Sequence, residues 1–261
     1  MNGSVHVKHD GAVATVSLSN PDKLNALTVS MWRDLARVMD ELSALDDLRC
    51  VVLRGAGRDA FAAGADIAEF AQQRDNVEQG KVYHREYVFG ALKAVGDCLH
   101  PTVAMIHGAC VGGGLEIACQ CDIRVAGASA RFGVPINRLG FAIAYDELSA
   151  LLPLVGRAVV LEILVEGRVW EAQEAWDKGL VARVVPDDGL EQDVYATARR
   201  IADGAPLVAR WHKQFVRRLT PQTEPLTAAE IEENFAYFNT EDYRIGYDAF
   251  INKKKPKFVG R

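Results

Sequence analysis

His107-Gly-Ala-Cys-Val-Gly-Gly-Gly-Leu-Glu-Ile-Ala-Cys-Gln-Cys-Asp122 is the stretch whose reading decides the fold. The apolar run just before it, Thr102 to Ile106, has the length and composition of a buried strand. Gly108 breaks that run, and Gly112, Gly113 and Gly114 open a helix carrying Leu115, Ile117 and Ala118. A helix N-terminus leaves four N–H groups without internal partners and adds a partial positive charge. Glycine there removes the side chains that would hold a ligand off the backbone. Glu116, one turn in, sets a carboxylate beside these donors. Donors for a developing oxyanion next to a proton-transfer group suit acyl-transfer or enolate chemistry. The same residues also fit a glycine-lined helix packed closely on a sheet, with Glu116 as an ordinary first-turn acid.

Toward the N-terminus, Phe61-Ala-Ala-Gly-Ala-Asp-Ile67 is a second apolar, glycine-bearing turn whose small residues leave its backbone open. Cys50 to Leu53 reads as a short buried strand, and Val5 to Lys8 with Val13 to Leu18 as a hairpin around Asp10-Gly11. Thr28 caps a helix with apolar residues at Val29, Trp32, Leu35, Val38, Met39 and Leu42. Tyr83 to Val95 has helical spacing. Toward the C-terminus, strands are predicted over Ile123 to Ala126, Ala130 to Phe132 and Leu180 to Val185. Between the last two, helices are expected around Leu148, Leu151 and Leu154, over Ala158 to Leu164, and over Glu171 to Lys178. Beyond about Asp188 strand signals stop, and 192–202, 207–219, 228–238 and 243–251 are helical by period. The expected organisation is an α/β body over residues 1–190, built of strand–strand–helix units, then a helical region over residues 191–261.

The 261 residues suffice for one large domain, and 49% apolar with 25% charged residues suits a soluble globular protein. A net charge of −5 gives no electrostatic reason to expect nucleic acid or an anionic membrane. The five cysteines, an odd count inside apolar runs, read as reduced residues of a cytoplasmic protein. Cys119 and Cys121 have no matching Cys or His pair at zinc spacing, so no metal is expected. The opening Met1-Asn-Gly-Ser-Val-His lacks the basic and apolar regions of a leader. No run reaches the ~18 apolar residues of a membrane span. Neither a G-x-S-x-G elbow nor a G-x-G-x-x-G in context is present.

The two glycine loops, Phe61 to Ile67 and Gly108 to Ile117, resemble the paired motifs of the crotonase superfamily of enoyl-CoA hydratases and isomerases. Asn20-Pro-Asp-Lys-Leu-Asn-Ala-Leu27 resembles its N-terminal signature. Phe132-Gly-Val-Pro135, Gly179-Leu-Val181, Thr240-Glu-Asp242, Ala249-Phe250 and Lys253 to Phe258 resemble its later ones. The resemblance implies a crotonase-like spiral of ββα units with a C-terminal helical trimerisation region, assembled as homotrimer or hexamer. It implies an acyl-CoA substrate and no cofactor beyond the coenzyme A that the substrate carries. It further implies that Ala65 N–H and Gly113 N–H form an oxyanion hole, with Glu116 as general acid/base. Ala63, Ala65, Asp66, Ile67, Ala68, Gly112 and Gly113 are then expected at the CoA thioester, and Lys253 at its phosphates.

One position departs from the pattern. A hydratase of this family pairs two glutamates, and the second would follow Pro135, where this chain has Ile136. An apolar side chain neither grips nor deprotonates water. Asp146 and Tyr145, in Ala144-Tyr-Asp-Glu147, are the candidates for a substitute acid, although Asp146 and Glu147 also suit a helix N-terminus. Asn137 and Arg138 are further polar options. The departure leaves open hydratase or isomerase chemistry, decarboxylation or C–C cleavage of an acyl-CoA, and non-catalytic acyl-CoA binding.

Overall fold

The structure is a computed structural model that describes residues 3–220 and 225–261; Met1 and Asn2, the start of the stretch read as lacking a leader, lie outside them. The chain begins with β1 (Ser4–Asp10), β2 (Val13–Ser19), α1 (Val29–Ser43), β3 (Cys50–Gly55), β4 (Ala60–Ala62), α2 (Phe70–Gln73), α3 (Val77–Val82) and α4 (Phe89–Asp97). The body continues with β5 (Thr102–Ile106), β6 (Ala109–Val111), α5 (Gly113–Gln120), β7 (Ile123–Gly127), β8 (Arg131–Gly133), α6 (Tyr145–Glu166), β9 (Val169–Glu171), α7 (Ala172–Asp177) and β10 (Arg183–Val185). Four helices follow: α8 (Asp187–Ala202), α9 (Pro206–Leu219), α10 (Ala228–Asn234) and α11 (Glu241–Ile251).

From β3 to β8 successive strands alternate between two sheets. One runs β1-β2-β3-β5-β7-β10, parallel apart from the β1–β2 hairpin, and the other runs β4-β6-β8-β9. Each ββα turn therefore leaves one strand in either sheet, which is the expected spiral. Of the second sheet only β8 answers to an expected strand, Ala130 to Phe132; β4, β6 and β9, three residues long, show no period of two. Leu18, Leu53, Phe61, Leu92, Ile106, Leu115 and Phe132 fill the main core. On the other side of the large sheet, Leu190, Val194 and Ala198 of α8 pack against Val52, Val103 and Met105. The division at residue 190 thus falls inside a helix docked on the body.

The two helices expected around Leu148 to Leu154 and over Ala158 to Leu164 form one bent element, α6, broken at Gly156 (φ 75°, ψ 167°). That backbone geometry is open to little but glycine. By length and composition α6 is also apolar enough to cross a membrane, a property that Arg157 and Glu162 hide from a search for uninterrupted apolar runs. Leu161 and Val165 stand exposed along it.

α9 is turned the opposite way from an ordinary surface helix. Its basic residues face the body: Lys213 pairs with Asp122 at 2.8 Å and donates to His100 O, and Arg217 donates to Gly96 O. Its apolar residues, Trp211, Phe215 and Leu219, face outward. Asp122 also accepts the Thr102 N–H at 2.8 Å and the Thr102 hydroxyl, so one carboxylate joins the end of α5, the start of β5 and α9.

Candidate active site

The first glycine loop is held by the Asn20–Leu27 segment. Leu24 and Asn25 adopt left-handed conformations, and the Asn25 amide donates to Ala56 O and Ala60 O. Leu24 O then accepts Ala63 N–H, while Leu27 bridges Ala65 in parallel through Gly64 O and Asp66 N–H. A parallel bridge of this kind uses the peptides flanking Ala65 and leaves Ala65 N–H on the opposite edge. Gly113 N–H, at the first turn of α5, has no intrahelical acceptor. Among the described residues neither N–H makes a hydrogen bond. The loops abut: a Cβ on Gly64 would stand 3.9 Å from Gly113 N. α5 sits so close to β4 that a Cβ on Gly114 would lie 2.2 Å from Ala62 O.

Of the other residues expected at the thioester, Asp66 is buried, pairs with Lys23 at 2.6 Å and caps the Ala68 N–H. Its carboxylate is thus occupied, and what it offers a ligand is backbone. Ala63, Ile67 and Gly112 are partly buried and Ala68 exposed on the same rim. Lys253 lies exposed just beyond α11, and among the described residues no hydrogen bond or ion pair ties it to these loops.

Glu116, partly buried, belongs to a polar cluster inside the fold. Burial holds its carboxyl well above the usual range, the Glu147 charge adds to the rise, and Arg74 opposes it. Glu147, on the first turn of α6, is 5% exposed. One of its oxygens accepts from His84 Nδ1 and the other from Ala144 N–H at 3.1 Å. Burial pushes Glu147 up, but His84, the Ala144 N–H and Arg74 outweigh it and hold the carboxylate below the usual range. Burial and Arg74 lower His84, which fits a neutral ring donating from Nδ1. Two carboxyls thus sit within reach of each other's charge, one pushed toward the acid and one toward the anion. His84 and Tyr83 come from a wide π-type turn over Tyr83–Val88, an irregularity common at functional sites. Trp32 Nε1–H donates to the Tyr83 hydroxyl at 3.1 Å, and burial pushes that phenol up to about 12.

The sequence-based candidates for a second acid fall elsewhere. Tyr145 is 41% exposed, and with Asp146 it walls an outer hollow of about 740 Å³ shared with His84, Arg85, Asn234 and Phe235. Neither touches the glycine loops in that position; Glu147, the next residue, turns inward instead. Asn137 and Arg138 are exposed, Asn137 donating to Val165 O. Ile136 packs on the main core. Glu147, His84 and Arg74 went unrecognised as site residues. Helical spacing from Leu151 and Leu154 places Glu147 on the inner face of its helix, and spacing from Val88 and Val95 does the same for His84.

Comparison with known proteins agrees with this architecture. Residues 8–261 match the enoyl-CoA hydratase/isomerase family. A probable enoyl-CoA hydratase, echA8, of Mycobacterium bovis is 32% identical over 99% of this chain and 98% of its own length. Among solved structures, an enoyl-CoA hydratase/carnithine racemase of Magnetospirillum magneticum is 48% identical with a TM-score of 0.82, covering 99% of this chain and 97% of that one. A methylmalonyl-CoA decarboxylase in complex with 2-nitronate-propionyl-CoA is 27% identical with a TM-score of 0.87, covering 98% of each chain. With two glycine loops on a ββα spiral and a family match that runs nearly end to end, the chain belongs to the enoyl-CoA hydratase/isomerase family, the crotonase superfamily.

Proposed function

We propose that this protein is an acyl-CoA enzyme that adds water to, or shifts, the double bond of an enoyl thioester. The observation that carries the reading is geometric: Glu116 on α5 and Glu147 on α6, the latter fixed by His84 and the Ala144 N–H, sit on two helices packed together beside two unpartnered backbone donors. The thioester oxygen lies between Ala65 N–H and Gly113 N–H. As the enolate forms, that oxygen gains charge, and fixed backbone dipoles stabilise it without reorganising; one such donor is worth about 2.7–4 kcal/mol of barrier. Glu116 is the acid, its carboxyl held toward the protonated form by burial and by the neighbouring Glu147 charge. Glu147 takes the role of the acid missing at Ile136, oriented by His84 as a carboxylate partner orients an imidazole. Ala63, Asp66, Ile67, Ala68 and Gly112 line the thioester arm through their backbones, Lys253 meets the CoA phosphates, and the protein needs no separate cofactor. The outward apolar face of α9 is covered by further copies of the chain, in a trimer or a pair of trimers.

Spectrophotometric assay with crotonyl-CoA and longer enoyl-CoAs tests the reaction. Loss of the enoyl thioester absorbance is expected, slowed roughly 10²–10⁴-fold in Glu116→Gln. A second reading, decarboxylation of a malonyl-type thioester, is favoured by Ile136 and by the likeness to methylmalonyl-CoA decarboxylase. It replaces the first if no enoyl-CoA of any length is turned over and carbon dioxide is released from a malonyl-type substrate.

A further inference from the structure

Arg74 is a buried cation whose charge bears on both acids but whose hydrogen-bonding edge the proposed reaction leaves without a task. It follows α2 directly and is 2% exposed. Its guanidinium carbon lies 4.2 Å from the centre of the Phe70 ring, 4.8 Å from Tyr83 and 4.9 Å from Phe141. Ring faces hold a cation by its charge but accept none of the hydrogen bonds in its plane. Both Nε and Nη2 are buried with no hydrogen-bond partner, and among the described residues no carboxylate is within ion-pair distance. Nε–H and the adjoining Nη2–H point along one edge of the guanidinium. That edge grips a carboxylate with two parallel bonds. The Tyr237 hydroxyl, also buried, lies beside the guanidinium and interacts with it. Arg74 stacks on Tyr83, whose ring meets that of His84, the partner of Glu147, so the guanidinium adjoins the cluster that holds the two acids, and its charge bears on both.

Burying charged donors without acceptors is strongly unfavourable, and a protein retains such a group where something fills it. A single neutral phenol oxygen, that of Tyr237, matches neither the charge nor the two-donor edge of the guanidinium; the group that does is anionic and planar, and it arrives with the substrate. We propose that Arg74, with Tyr237 beside it, receives a second carboxylate at the far end of the acyl chain, so that the substrate is the CoA monothioester of a dicarboxylic acid. This rests on the reading of Glu116 and the two backbone donors as a thioester site. The aromatic box orients the guanidinium, its fork takes both oxygens of the terminal carboxylate, and the chain is thereby stretched past Glu116.

Calorimetric titration with unreactive saturated thioesters tests it on the full-length protein. Butyryl-CoA and succinyl-CoA form one pair of equal chain length, pentanoyl-CoA and glutaryl-CoA the other. In at least one pair the carboxylate-bearing thioester should bind about 10- to 100-fold more tightly, the range for charge-assisted hydrogen bonds. Arg74→Met should bring that ratio to about one, and Arg74→Lys, which keeps the cation without the fork, should restore part of it at most. Equal binding by the unaltered protein overturns the proposal and leaves water as the occupant of the fork. A ratio that survives Arg74→Met overturns it too, as does free succinate binding as tightly as succinyl-CoA. If Arg74→Met fails to fold, as judged by circular dichroism, the ratio in the unaltered protein and in Arg74→Lys decides. Failure of all four thioesters to bind sinks the thioester reading itself; binding without preference sinks this inference alone.

Discussion

Glu116 gains protons relative to the unfolded chain, and the sign of the resulting pH dependence follows. A carboxyl raised well above 4.5 in the folded state holds its proton where the unfolded chain has lost it. Stability therefore falls as pH rises from the ordinary carboxyl range toward the raised value. Glu116→Gln removes this slope. Its melting temperature should exceed that of the unaltered protein at pH 8 and match it more closely at pH 5, while turnover drops roughly 10²–10⁴-fold. Glu147 behaves in the opposite sense: its depressed carboxyl stabilises the fold above 4.5 and loses that contribution in acid. Glu147→Gln should cost about 1.5–3 kcal/mol at neutral pH by denaturant titration, with the deficit shrinking as the pH falls through the ordinary carboxyl range. Glu116 was legible in the sequence because three glycines mark the start of its helix. Glu147 was not, because an acid in a first turn already has an ordinary capping explanation. Arg74 gave no signal, since its burial depends on Phe141 and Tyr237, far away along the chain.

At the scale of elements, α5 and β4 meet at Gly114 with no room for a methyl group. Gly114→Ala should push the helix from the strand and displace both backbone donors. A loss of about 1–3 kcal/mol in stability is expected, the usual penalty of overpacking, with a disproportionate loss of turnover. The long helices and the central strands were readable from their apolar periods, and the β1–β2 register follows from the Asp10-Gly11 turn. The small sheet was readable only at β8, within the strand expected over Ala130 to Phe132. Ala60–Ala62 and Ala109–Val111 are too short to alternate, and their glycine neighbours make them look like turns until β8 and β9 complete the pairing. The bend in α6 likewise falls at Gly156, three residues after Pro153, which a periodic reading sees only as a gap between two helices.

For the whole molecule, the spiral brings loops more than forty residues apart into contact, which no local pattern encodes. The motifs could be matched to a family one by one, but the second carboxyl could be located only once α6 was laid against α5. The outward face of α9 makes a prediction at this scale. Trp211→Glu or Phe215→Glu places a charge where a second copy is expected to sit, and should shift sedimentation toward a single chain without unfolding it. Asp122 ties that helix to the end of α5, two turns from the acid that the chemistry needs. Loosening neighbouring copies should therefore slacken the catalytic helix as well. On the proposed assembly and reaction, specific activity should decline on dilution in step with dissociation, a solitary subunit being slower than one held among its own kind.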